Sequence, residues 1–113
     1  MTSLEQLMEE LRQVLGSGPA MSAPRILVLT ALYLSQRLTF SELVRVTGLS
    51  KGSLEHHVTV LEREGLVKRV RRPTLAGPRL FIEITAEGRR VLERIIEVLS
   101  RVLRERGTDS QSH

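Results

Sequence analysis

The sequence of 113 residues contains no cysteine. Disulfides, thiolate metal sites and thiol-based redox switches are therefore excluded. No apolar run approaches the roughly 20 residues that a membrane-spanning helix needs. The first ten residues carry three glutamates and no basic region of the kind that begins a secretion signal. We therefore expect a cytoplasmic protein of one domain that has no membrane partner.

The sequence also lacks the residue sets on which enzymes depend. It has no nucleophile paired with a base, no glycine-rich phosphate loop and no set of metal ligands at a suitable spacing. The adjacent residues His56 and His57 point about 100° apart on a helix, so they cannot hold one metal from the same face. We expect no enzymatic activity, no metal and no cofactor.

Positive charge is present in excess and is unevenly distributed. The formal net charge is +4 and the isoelectric point is about 10.6. Residues 1–22 have a net charge of −2, residues 23–84 of +5 and residues 85–113 of +1. The excess therefore lies in the middle of the chain, which favours a polyanionic partner for that region.

The stretch from Ser50 to Gly65 has the pattern of a recognition helix. Ser50 can cap a helix N-terminus with its hydroxyl, and Gly65 suits a left-handed stop. One face at helical spacing carries Leu54, Val58 and Leu61. The opposite face is small and polar, with Gly52, His56, Thr59 and Arg63. Such a helix can enter a major groove, although a surface helix of any small helical domain has the same pattern.

Three helices and a short strand are predicted before this stretch. Residues 3–15 form an amphipathic helix, and a mostly apolar helix runs from about Pro24 to Ser35. A very short strand is expected at 38–40. Thr39 and Glu42 then form a capping box that opens the third helix, and Gly48 allows the sharp turn into the recognition helix.

A hairpin and a long helix are predicted after it. Residues 66–72 and 79–85 read as strands joined by a proline- and glycine-containing loop, which makes a wing with five positive charges. Thr85 caps the last helix, which carries apolar residues in adjacent pairs over about 160° of its surface and ends at 106–107. The polar tail at 107–113 is expected to be disordered.

Four motifs occur in the order that winged-helix proteins show: LTFSEL (38–43), GLSKGSLEHH (48–57), LEREGLV (61–67) and ITAEGR (84–89). On these motifs, which span about half of the chain, the sequence resembles winged-helix transcriptional regulators of the MarR/ArsR-like group. The resemblance implies a mainly α (α+β) fold, a two-stranded wing and a homodimer that binds double-stranded DNA as a repressor or regulator. The recognition helix would be 51–64, and the wing would touch the flanking minor groove or the backbone.

Eleven residues are predicted to contact DNA, six on the recognition helix and five on the wing. They are Lys51, Ser53, Glu55, His56, Thr59, Arg63, Lys68, Arg69, Arg71, Arg72 and Arg79. Some assignments stay open. Glu55 can accept from a cytosine amino group or pair with Arg63 or the wing, and His56 can contact DNA or be simply exposed. The wing cations can contact phosphates or form an ordinary solvated face, whereas His57 is expected to be packed.

The two terminal helices are predicted to hold the dimer together, because their apolar stripes are not needed to complete the winged-helix core. The domains are then 1–18 (dimerisation), 22–85 (winged helix), 86–106 (dimerisation) and 107–113 (tail). The predicted interface consists of Leu4, Leu7, Leu11, Leu92, Ile95, Leu99, Val102 and Leu103. The alternative is that the wide stripe serves only the core of the monomer.

A second function also fits the pattern, namely a winged-helix module that binds proteins and not specific DNA. Such a module has no need of five wing cations, and its recognition helix would expose apolar residues. The charge distribution therefore favours DNA. Neither the operator sequence nor any small-molecule effector can be identified from the sequence.

Overall fold

The computed structural model describes residues 4–16 and 21–111, the stretch 107–111 as backbone only. This part of the chain contains five helices and three strands. Their order is α1 (Leu4–Gly16), α2 (Ala23–Ser35), β1 (Arg37–Thr39), α3 (Phe40–Thr47), α4 (Lys51–Arg63), β2 (Val67–Arg72), β3 (Arg79–Ile84) and α5 (Ala86–Gln111). The predicted fold class, mainly helical with a winged helix-turn-helix, is confirmed.

The predicted N-terminal caps of α3 and α4 are also confirmed. The hydroxyl of Thr39 accepts from the Glu42 amide while the Glu42 carboxylate accepts from the Thr39 amide, which completes the capping box of α3. Ser50 caps α4 in the same manner by accepting from the amide of Ser53 at 3.2 Å. The chain turns between these two helices at Gly48, where φ is 72°, a backbone conformation that favours glycine.

The wing is part of a larger sheet than the sequence predicts. Strands β2 and β3 pair from Val67 opposite Ile84 to Arg72 opposite Arg79, as expected of the hairpin. Strand β1 then adds to the other edge of β3, so the sheet has the order β1-β3-β2. A three-residue strand is too short for its own pattern to indicate which edge it joins, and the pairing depends on where α2 and α3 place it.

One core joins the helices to the sheet. It is formed by side chains from α2, α3, α4, the strands and the start of α5. Gly88 lies where α5 crosses the base of the wing, and a Cβ at this position would come within 2.2 Å of the Leu66 carbonyl oxygen. Leu92, one turn further along α5, is 1% exposed and belongs to this core. The expectation that the stripe of α5 is not needed to complete the core is therefore wrong for Leu92.

The last helix is longer than predicted. It continues through Arg106 and Gly107 to Gln111, so residues 107–111 are helical where the sequence predicts a tail. A single glycine lowers helix stability by only about 1 kcal/mol, which does not end a helix that is already formed. Residues 112–113 lie outside the described residues. None of the described helices is long and apolar enough to cross a bilayer.

Candidate nucleic-acid interface

Helix α4 buries one face and exposes the opposite one. Leu54, Val58 and Leu61 are at most 1% exposed and fix the helix on the core. The side chains of His56 and Arg63 lie on the far side and are exposed. Since Ser50 caps the helix, its first turn presents Lys51 and Ser53 next to backbone amides that favour anions. This is the arrangement that the sequence predicts for a helix that enters a major groove.

One arginine of the wing is attached to the side of α4. Nη2 of Arg69 donates to Oε1 of Glu55 at 2.8 Å and to Oγ1 of Thr59 at 3.3 Å. Nε of the same residue donates to Oε1 of Glu62 at 3.1 Å. The two carboxylates raise the pKa of Arg69 against the opposing effect of its burial. Of the alternatives left open for Glu55, pairing with the wing is the one that the structure shows.

The wing cations lie on two faces of the hairpin and not on one. Successive side chains of a strand point to opposite faces, so Arg69 and Arg71 share a face with Leu80 and the buried Ile82. This is the face turned toward α4. The other face carries Lys68 and Arg72 on β2 and Arg79 on β3.

A buried carboxylate holds part of the second face together. Glu83 of the central strand has a side chain that is 8% exposed. Arg72 donates to it from Nε at 2.5 Å and from Nη2 at 3.2 Å, and Nε of Arg37 donates to it at 3.0 Å. Lys68 Nζ lies 3.9 Å from its Oε1. The hydrogen bonds from Arg72 are the main reason that the pKa of Glu83 is lowered, and burial opposes them.

Sequence reasoning missed two members of this cluster, Glu83 itself and Arg37. Arg37 lies on β1, directly opposite Glu83 across the sheet. No motif contains it, and its role depends on a strand pairing between residues 46 positions apart.

His57 is a packed histidine, as predicted. Its Nδ1 accepts from Nε of Arg25 at 3.2 Å, and the side chain is half-buried. Burial is the main cause of its lowered pKa, and the charge of Arg25 acts in the same direction. The ring of His56 lies edge-on to it, with centroids 5.4 Å apart. Among the described residues, no group of three side chains could hold a metal ion.

The eleven predicted contact residues therefore divide into two groups. Five are engaged with other side chains: Glu55, Thr59, Lys68, Arg69 and Arg72. The other six, the outward group, make no ion pair with a described residue: Lys51, Ser53, His56, Arg63, Arg71 and Arg79. All are exposed except Ser53, which is half-buried. The second group lies on the first turn of α4, on the outer face of α4, and at the ends of the wing strands next to the loop 73–78.

The residues predicted for the dimer interface divide in a similar way. Leu7, Leu92 and Ile95 are 8%, 1% and 1% exposed, because Leu92 belongs to the core and α1 packs on α5 of the same chain. Ion pairs from Glu10 to Arg94 and Arg101 strengthen this contact. These three leucine and isoleucine side chains therefore offer no free surface to a partner, contrary to the expectation. The exposed remainder of the two stripes consists of Leu4, Met8, Ile96, Leu99, Val102 and Leu103, and Leu11 is half-buried.

Comparison with known proteins agrees with this geometry. The chain matches the family described as "winged helix DNA-binding domain" over residues 25–103. Its structure is similar to that of a transcriptional regulator homologue from Pyrococcus horikoshii OT3, with 32% sequence identity and a TM-score of 0.74 over 87% of this chain and 97% of that one. No curated protein matches the sequence.

Two further structures share the fold. A MarR family protein from Bacillus stearothermophilus is 29% identical, with a TM-score of 0.69 over 88% of this chain and 67% of that one. A mutant MarR from E. coli, solved with operator DNA, is 20% identical, with a TM-score of 0.68 over 94% and 74% of the two chains. At this identity the second likeness concerns the fold alone. Because the family match covers most of its length, the chain belongs to the winged helix DNA-binding domain family, with the fold of MarR-like transcriptional regulators.

Proposed function

We propose that the protein is a sequence-specific, double-stranded DNA-binding transcriptional regulator that acts as a homodimer. The observation that carries the proposal is the outer surface of α4. It presents polar and cationic side chains that make no ion pair with a described residue, next to a wing that adds two more such cations, Arg71 and Arg79. The E. coli MarR structure with operator DNA supports it as an example of this fold on DNA.

The roles of the six outward residues follow from their positions. Lys51 and Ser53 lie in the first turn of α4, where amides and side chains contact phosphates readily. His56 and Arg63 lie on the face opposite the core and would meet base edges in the major groove. Arg71 and Arg79 would contact the backbone beside the flanking minor groove.

The homodimer is supported by the apolar residues that remain exposed on α1 and α5. Part of the apolar stripe of α5 is buried within the chain, namely Leu92, Ile95 and Val98. Ile96, Leu99 and Leu103 remain exposed at i, i+3 and i+7. A second copy packed on this stripe would bury it across a two-fold axis. The same axis would place two α4 helices in successive major grooves, about 34 Å apart.

A dimer that covers two major grooves blocks access to the same DNA, so we propose a repressor. A protein-binding module is the weaker candidate, because the outer face of α4 exposes His56 and Arg63 and no large apolar side chain.

Selection of bound duplexes from a random pool tests the proposal. We expect a pseudo-palindromic site whose half-sites are centred one helical turn apart, bound with an affinity that falls steeply with salt. Selection with His56→Ala protein should change the preferred bases at one position in each half-site, at about 1–3 kcal/mol per lost contact. A pool that yields no enriched sequence, together with salt-independent binding, would refute the proposal.

A further inference from the structure

The tip of the wing differs from the strands that support it. The loop Pro73–Pro78 contains no charged residue, whereas Arg71, Arg72 and Arg79 lie immediately before and after it. Leu75 lies near its centre and has a relative exposure of 111%, so its side chain is fully exposed to solvent. Single exposed leucines are common on protein surfaces and need no partner. A role for Leu75 is therefore argued from the loop that carries it and from the arginines on either side of that loop.

The loop that carries Leu75 is held in one conformation. The amides of Thr74 and Gly77 each donate to the carbonyl of the other residue, at 3.0 and 2.9 Å. The hydroxyl of Thr74 donates to the Gly77 carbonyl at 2.6 Å and accepts from the amide of Ala76 at 3.2 Å. Pro73 and Pro78 fix the backbone on both sides. Leu75 is thus presented on a rigid turn, and little conformational entropy would be lost when it is buried.

The cations around the tip are arranged for a narrow groove. Arg71 lies on the face of the hairpin that is turned toward α4, and Arg79 lies on the opposite face. Neither makes an ion pair with a described residue, but Arg79 is close enough to Glu42 that its charge adds to the hydrogen bonds from Thr39 in lowering the pKa of that carboxyl. A minor groove is bounded by one phosphate strand on each side and is only about 6 Å wide. A hairpin that enters it tip first would place one arginine near each strand and Leu75 against the floor.

We propose that Leu75 is an apolar wedge that enters the minor groove next to the site of α4, partly unstacks a base step and kinks the duplex. The inference rests on the proposed function. Leucine is among the residues that act in this way in minor-groove proteins, where such insertions kink the duplex by about 20–90°. Pyrimidine–purine steps unstack most easily. Leu75 therefore adds a preference for such a step at a position that no polar side chain reads.

The wedge is tested with a selected duplex that carries a donor and an acceptor dye at its two ends. Wild-type protein should shorten the end-to-end distance. Leu75→Ala should abolish this bend and weaken binding roughly tenfold, because most of the buried apolar surface is lost. The salt dependence should stay unchanged, since no charge is altered. Leu75→Met keeps an apolar wedge and should retain both the bend and the affinity.

The matched control is Leu34→Ala, a leucine that is 79% exposed but lies on α2 and not on the wing. It should behave as the wild type in both measurements. A Leu75→Ala protein that bends the duplex as the wild type does overturns the wedge, whatever its affinity. If wild-type protein fails to bind any duplex, the proposed function itself is wrong, and the wedge with it.

Discussion

The two ends of the molecule were expected to work by opposite means, the winged end by charge and the α1/α5 end by apolar surface. They prove to have one property in common. At the winged end, three of the five wing cations form ion pairs within the chain. At the other end, three of the eight predicted interface residues are buried within the chain. At both ends, some of the side chains that the sequence predicts to contact a partner instead make contacts within the chain.

The internal contacts have different effects at the two ends: they orient the elements at the winged end and extend the core at the α1/α5 end. Arg69 connects the wing to α4 through two carboxylates, and Glu83 connects β1 to β2 across the central strand. These contacts orient the elements that would meet DNA. Leu92, in contrast, extends the core itself. Removal of an internal contact should therefore alter geometry at the winged end and stability at the α1/α5 end.

The largest effect is expected where α5 separates buried from exposed residues. Leu92→Ala should lower the free energy of unfolding by about 2–5 kcal/mol, because it leaves a cavity in the core. Replacement of Leu99, Val102 and Leu103 by serine should leave the helical content unchanged and convert the proposed dimer to a monomer. Urea titration measures the first outcome, and sedimentation velocity at tens of micromolar measures the second.

Ile95 stays unchanged in the triple variant, because it is 1% exposed and its loss would confuse unfolding with dissociation. A triple variant that sediments as the wild type would show that the exposed stripe is not an interface.

A smaller effect is expected from Glu83, the carboxylate that joins both edge strands to β3. Glu83→Gln should lower the free energy of unfolding by about 1–3 kcal/mol at neutral pH, since hydrogen bonds to charged groups are weakened. Because the pKa of Glu83 is lowered by folding, its contribution is present above the pKa of an unfolded glutamate, about 4.3. It is lost as the pH falls through the lowered value. The stability difference between wild type and variant should therefore shrink below about pH 4.

Glu64→Gln is the matched control, an exposed glutamate with no ion pair in the described residues. Its free energy of unfolding should equal that of the wild type both at neutral pH and below about pH 4. A Glu83→Gln protein with wild-type stability at pH 7 would show that the cluster is only a surface feature.

The smallest effect is expected in a comparison of two arginines of β2. Arg69 forms ion pairs with α4, whereas Arg71 is exposed and forms none with a described residue. Arg71→Ala should lower the slope of log affinity against log salt by about 0.9, the value for one phosphate contact on duplex DNA. Arg69→Ala should weaken binding without a change in slope, because Arg69 is hydrogen-bonded to side chains of α4 and is not expected to contact a phosphate. Equal reductions in slope would mean that Arg69 leaves its carboxylates when DNA binds.

Much of the fold could be predicted from local pattern, for physical reasons that are themselves local. A capping box needs only the spacing of Thr39 and Glu42, and an amphipathic helix needs only its period. The alternating strands and the loop at 73–78 likewise indicated the hairpin. For the same reason, the order of elements was sufficient to suggest the winged-helix class.

The candidate site could be predicted only in part. The sequence indicated which residues lie on the outer face of α4 and on the wing, since both follow from periodicity. It could not indicate that Arg69 reaches Glu55 and Glu62, or that Arg37 joins Glu83, because each contact depends on how two elements pack. The sequence did not predict the extension of α5 to Gln111, because Gly107 followed by polar residues has the pattern of a helix end although one glycine costs a helix only about 1 kcal/mol.

The sequence by itself therefore determined the type and order of the elements, the outer face of α4 and the excess of positive charge in the middle of the chain. The tertiary structure decided which of those side chains are available. An arginine near a carboxylate forms an ion pair, and a leucine against another helix is buried, at distances of a few ångströms that no spacing along the chain reveals. The difference between a residue that supports the fold and one that can meet a partner arises from packing.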